Sequence, residues 1–297
     1  MVRTPVSVGK YRFNIIDNTT EFGGRIICRN FKMGSDQYPD CVNVSISYNM
    51  DNRPMKAHIP TLTSHPRCAK DNNLDKGEGS VLMIKELLRH INKQIPEITT
   101  FTFEDYSKLE CGTEEEKTAK DDRVVGTHAY PVSLFYFSIA FNGITWYEKH
   151  FHATLRTPEQ YRSYREGIKR ICGTKESKMS FDQFLSIATP TREQIEELQP
   201  YYEKADTYYQ FFSSIPFERR CPLVRNWIHV FMAHILQGIF QHTDWMMDVT
   251  TMDTPPISMG GGKRTTRKRG KRRDTYYCPK GRIHNCHSYG DHQMTDE

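Results

Sequence analysis

The 297-residue sequence has no clean apolar stretch of bilayer length. Its best candidate, Pro222 to Phe240, is interrupted by Arg225, Asn226, His229, His234 and Gln237, groups that a hydrocarbon environment disfavours. No membrane span is expected. The opening MVRTPVSVGKYRFN lacks the apolar centre of a secretory signal, so the expected setting is intracellular. There is no CxxC pair: Cys28, Cys41, Cys68, Cys111, Cys172, Cys221, Cys278 and Cys286 are scattered singly. In an intracellular chain of this length that pattern predicts free thiols rather than a disulfide framework. GxxxxGK[ST] and GxGxxG are also missing, which removes the NTPase P-loop and the dinucleotide fingerprint from consideration.

What is present is enough to build a core. Aromatic residues make up 12% of the chain, which excludes wholesale disorder, and the length suits one large domain or two small ones. The formal charge of +5 is unevenly placed. Lys263, Arg264, Arg267, Lys268, Arg269, Lys271, Arg272 and Arg273 fall within eleven residues that contain no acid; with these eight set aside, the remainder carries −3.

Alternation and turn residues predict strands at Lys10–Ile16, Gly24–Phe31, Cys41–Tyr48 and Met55–Leu62. Val81, Ile84, Leu87, Leu88 and Ile91 recur at helical spacing, so Ser80–Asn92 is expected to be a helix, followed by a strand at Ile98–Phe103. Cys111–Arg123 reads as a charged, exposed loop. Pro131–Phe141 is apolar on nearly all sides and should be buried. Asn142-Gly143 ends it, and Thr145 can cap a short helix through TWYEKHF. Thr157-Pro158-Glu159 starts a helical series expected at Pro158–Ile171, Phe181–Ile187, Thr191–Phe212 and Pro222–Asp248. The chain therefore divides into an α/β or α+β part at 1–156, an all-helical part at 157–250 and a disordered basic tail at 251–297.

Gly77-Glu78-Gly79-Ser80 stands directly before the amphipathic helix. Glycines there let backbone N–H groups approach an anion, and the helix start adds unsatisfied donors and a positive dipole end. A β-meander, this GxG turn, a further strand and then Trp146-Tyr147-Glu148-Lys149-His150-Phe151 together resemble the GNAT family of acyl-CoA N-acyltransferases over about residues 10–156. The resemblance implies a GNAT-like mixed sheet, acetyl-CoA with its pyrophosphate on Gly77, Glu78, Gly79 and Ser80, and Tyr147 as general acid to the departing thiolate. Leu74 occupies the position where the family usually has Arg or Gln, the glycine before the final phenylalanine is missing, and Lys108–Thr127 is an insertion. Acyl transfer also needs a base, and His58 is the one imidazole on the strand before the turn. The alternative is that His58 faces solvent and that Thr145–Phe151 simply docks, with Trp146 and Phe151 on the core and Glu148 and Lys149 in water.

Two further signals sit in the tail. The eight clustered cations attract polyanions such as nucleic acid through phosphate charge, without base selectivity; a nuclear-import address is the alternative. Gly260-Gly261-Gly262 with this basic run, and Gly143–Phe151, resemble segments of proteins from nucleocytoplasmic large DNA viruses, which would place the chain in host cytoplasm, nucleus or virion. Cys278, His284, Cys286 and His287, with His292 nearby, have the side chains that ligate zinc, the alternative being an unstructured tail. Tyr201-Tyr202, Tyr208-Tyr209, Phe211-Phe212 and the 3–4 step Trp227, Phe231, His234, Ile235, Gly238 read as helix-packing core rather than base-stacking platforms. The functional expectation is a GNAT-like N-acyltransferase or its inactive relative. The rival is a non-catalytic virion-structural or nucleic-acid-associated protein acting through the tail.

Overall fold

Tyr11, Phe13 and Ile15 alternate with more exposed neighbours, and Phe31, Met33, Val42, Val44 and Ile46 continue the same buried face on the next two strands. That alternation lays down a sheet with one covered side. The computed structural model describes residues 2–36, 38–62, 78–105, 108–111, 131–173, 177–237, 239, 244–252 and 254–255. Strands β1 (Val2–Val8), β2 (Tyr11–Phe22), β3 (Arg25–Gly34), β4 (Val42–Tyr48) and β5 (Pro54–Leu62) form an antiparallel meander. Between β2 and β3 the chain turns on Gly23-Gly24, whose φ angles of 58° and 74° are left-handed; a tight hairpin turn asks for glycine at such positions. The four expected strands are all present, and β1 precedes them.

Helix α1 (Glu78–Gln94) then crosses over to β6 (Thr100–Glu104), which lies parallel to β5. A parallel neighbour requires a crossover of this kind. Val81, Met83, Ile84, Leu87, Leu88 and Ile91 of α1 are buried, and its His90 ring meets Phe31 on the covered face of the sheet at 6.4 Å.

The next segment contains β7 (Lys108–Glu110) paired with β8 (Pro131–Ser133), α2 (Leu134–Asn142), α3 (Trp146–Phe151) and β9 (Thr154–Leu155). Gly143, with φ 69°, ends α2, and the Thr145 side chain accepts from the Glu148 N–H to start α3, as the sequence predicts. The expected charged loop is described only at Cys111, which is buried.

Helices α4 (Pro158–Cys172), α5 (Phe181–Ala188), α6 (Arg192–Lys204), α7 (Tyr208–Ser214), α8 (Phe217–Val224) and α9 (Ile228–Leu236) follow. The long helix expected over Thr191–Phe212 is two: α6 stops at Lys204, and Thr207 caps a new start by accepting from the Gln210 N–H. Nor does Pro222–Asp248 form one helix. After α9 the chain returns as strand β10 (Asp244–Asp248), whose Trp245 and Met247 are buried in alternation. The five-residue run is too short for its periodicity to distinguish strand from helix. The part expected to be all-helical thus contributes a strand to the main sheet, whose order is β1-β2-β3-β4-β5-β6-β10-β9. The architecture is mixed α+β.

Aromatic side chains fill the helical layer: Tyr202, Tyr208, Phe211, Phe212, Trp227 and Phe231 are buried, whereas His234, expected in the core, is exposed. The inward face of α9 is taken by Ile228, Phe231, Met232, Ile235 and Leu236, which leaves His234 facing outward. Packing continues past the expected tail boundary, because Met252 is 1% exposed and Thr251 Oγ1 donates to the Phe151 carbonyl. The free-thiol expectation is corrected. Cys111 and Cys221, 110 residues apart in sequence, are disulfide-bonded with Cα atoms 5.1 Å apart; Cys41 and Cys172 each take part in a disulfide as well, and Cys28 is free. Proximity created by folding is invisible to cysteine spacing. Among the described residues no helix is long and apolar enough to cross a membrane.

Candidate functional site

The parallel neighbours β5 and β6 pair over only three positions, Ala57↔Phe101, His58↔Thr102 and Ile59↔Phe103. Beyond Ile59, β5 follows β4 through Asn43↔Thr61 and Val42↔Leu62. Beyond Phe103, β6 follows β10 through Asp244↔Glu104. The β5–β6 ladder therefore ends at Ile59 and Phe103, one residue before β6 itself ends at Glu104. Helix α1, the crossover between them, opens with Glu78, Gly79 and Ser80 in its first turn. The first four N–H groups of a helix have no intrahelical acceptor, so the first turn of α1 offers backbone donors. Gly77 lies outside the described residues.

Tyr147 on α3 reaches the end of the β5–β6 ladder from the covered face. Its ring lies 4.3 Å from that of Phe103, the last β6 residue paired with β5. Its hydroxyl donates to Asp105 Oδ1 at 3.5 Å, and both residues are buried, Tyr147 at 3% exposure and Asp105 at 2%. Lys85 on α1 approaches the Phe151 ring of α3, with Nζ 6.0 Å from its centroid, so the glycine-led helix and the tyrosine-bearing helix are neighbours.

His58 is elsewhere. It is half-buried, shares a hydrogen bond with Thr102 Oγ1 at 3.2 Å and pairs in register with Thr102. Strand alternation puts His58 and Thr102 on the face opposite Phe101 and Phe103. The structure therefore sets Tyr147 against the end of the β5–β6 ladder and leaves His58 on the other side of the sheet.

Glu148 is not in water as the docking alternative expected. It is 2% exposed, accepts from Tyr164 Oη at 2.6 Å and from Arg165 Nη1 at 3.0 Å, and so ties α3 to α4. Burial pushes its carboxyl pKa up, against the pull of the Arg165 charge and the Tyr164 hydrogen bond. His150, half-buried next to Lys149 and Lys85, is pushed down to about 4, mostly by burial. Trp146 is only partly covered, packing against Tyr147, His150 and Phe151.

Asp105 was missed by sequence reasoning. One acid after the run TFTFE has no periodic signature, and its meaning comes only from the strand end on which it stands. No cluster of His, Cys, Asp or Glu suited to a metal occurs among the described residues; Cys278, His284, Cys286 and His287 lie outside them, as do the basic residues from Lys263 to Arg273. No family model matches the chain, and neither does any curated protein or solved structure.

Proposed function

We propose that the chain is a GNAT-like N-acyltransferase that takes its acyl group from acetyl-CoA. The observation that carries this reading is the packing of Tyr147 on Phe103, where the parallel β5–β6 ladder ends beyond a crossover through α1. In open α/β sheets the carboxyl ends of parallel strands are where ligands bind, and a helix start supplies N–H donors and a favourable dipole for pyrophosphate. Bound there, acetyl-CoA supplies an activated acyl group. Gly79 and the backbone of α1 hold the phosphates, and Tyr147 gives the leaving sulfur its proton. The near-complete burial of Tyr147 favours a second reading, an inactive relative in which this tyrosine is a core residue. A polyanion partner for Lys263–Arg273 rests on the sequence pattern alone.

Calorimetric titration with acetyl-CoA tests the first reading. Wild-type protein gives saturable heat, and Gly79→Asp, which sets a negative charge against the pyrophosphate, loses it while keeping its melting temperature. Wild-type protein without heat at millimolar ligand would remove the transferase reading.

A further inference from the structure

We propose that a second reactive site lies on the uncovered face of the sheet, where Cys28 is an acyl-accepting thiol served by Ser45 and His58. It stands apart from the acetyl-CoA reading. Strand alternation puts Cys28, Ser45, His58 and Thr102 on the face opposite the buried Phe31, Ile46, Ala57 and Phe103. These four residues form a row across β3, β4, β5 and β6. Cys28, the free thiol among the described cysteines, has its Sγ 3.3 Å from Ser45 Oγ. Ser45 is the register partner of His58, and residues directly opposite each other in an antiparallel pair have Cβ atoms about 5 Å apart. His58 is in turn the register partner of Thr102. Cys28, Ser45 and His58 are each partly exposed, so a solute can approach the row from outside.

The direction of the hydrogen bonds follows from counting protons. Thr102 has one hydroxyl proton and donates it to the Ala57 carbonyl at 3.2 Å. Its oxygen therefore accepts from His58, whose Nδ1 lies 3.2 Å away. Nδ1 then carries the proton of the neutral ring, and Nε2 is left as the basic nitrogen. A nucleophile set beside a base that a third group orients is the arrangement that activates such a group. Of the two candidates for attack, a thiol is a stronger nucleophile than a hydroxyl at neutral pH.

The step balances. Cys28 Sγ bonds to the carbonyl carbon of an activated ester and its proton passes to Ser45 Oγ, while the Ser45 proton passes to His58 Nε2. The C–O bond of the ester breaks, and the departing oxygen takes that proton from His58. Ester and thiol become alcohol and thioester, with no proton gained or lost and no oxidant or reductant required.

The test exposes the full chain to p-nitrophenyl acetate and follows acetylation residue by residue with peptide mass spectrometry. Cys28 of the wild-type protein is expected to react first and faster than the thiol of glutathione under the same conditions. His58→Ala should slow acetylation of Cys28 by roughly two to four orders of magnitude, the usual contribution of a general base. Imidazole added to the buffer should restore part of that rate, which a purely structural histidine would not allow. Ser45→Ala should slow the reaction as well, and Ser45→Thr, which keeps the hydroxyl, should not. Acetylation of Cys28 no faster than glutathione, first acetylation at another residue, or an unchanged rate in His58→Ala would each overturn the proposal. If the variants do not fold, the wild-type comparison with glutathione decides alone.

Discussion

At the scale of single residues, Glu148 shows how a buried charge can be structural next to a site. Its two oxygens are taken by Tyr164 and Arg165 on α4, and the Arg165 side chain is 12% exposed. Glu148→Ala removes the carboxylate and leaves that guanidinium largely buried without its counter-charge, a loss expected to be about 3–5 kcal/mol in chemical denaturation. Glu148→Gln keeps the shape and an acceptor for Tyr164, so it should cost less. The pH dependence has a definite sign. Burial raises the folded pKa above the ordinary 4.5, so above that pH the folded protein holds more protons at this position than the unfolded chain does. The stability from protonated Glu148 is therefore complete below 4.5 and declines as pH rises through the folded value. The wild-type protein should lose stability relative to Glu148→Gln over that window; a constant difference between the two would contradict the assignment.

At the scale of elements, the helical layer depends on a close approach between α4 and α9. A Cβ built on Gly167 would stand 2.6 Å from Leu236 Cδ2 and 3.3 Å from its Cα, and Leu236 is fully buried. Gly167→Ala raises helix propensity, yet overpacking should outweigh this and destabilise the fold by about 1–3 kcal/mol. Urea unfolding decides the sign, and a variant at least as stable as wild type would show that the two helices can separate freely. Several elements were legible in the sequence for plain reasons. Strong alternation marked β2 to β5, and the apolar spacing of α1 marked the crossover. Hydroxyl caps at Thr145 and Thr157 each accept from the N–H of the third helical residue, Glu148 and Gln160. What stayed hidden was contextual. β10 is five residues long, too short for a period to declare itself. The α6–α7 break depends on Thr207, whose capping role is plain only once the helix ahead of it has ended. Asp105 acquires its meaning from Tyr147, forty-two residues away in sequence.

At the scale of the whole molecule, the chain closes on itself. β10 brings residues after α9 back between β6 and β9, and the Cys111–Cys221 bridge ties the end of β7 to the helical layer. Both features cross the boundary that composition suggests near residue 156, because burial of Trp245 against Phe103, Phe135 and Tyr164 depends on residues from each side of it. The ligand site proposed for this arrangement is at the end of the β5–β6 ladder and the first turn of α1. Amide hydrogen exchange with and without acetyl-CoA tests it most directly. The account predicts slower exchange in the first turn of α1, at Glu78–Val81, and in the ends of β5 and β6, while the helical layer from α5 to α9 is unchanged. Exchange that is unaltered throughout, or slowed only in the helical layer, would contradict it.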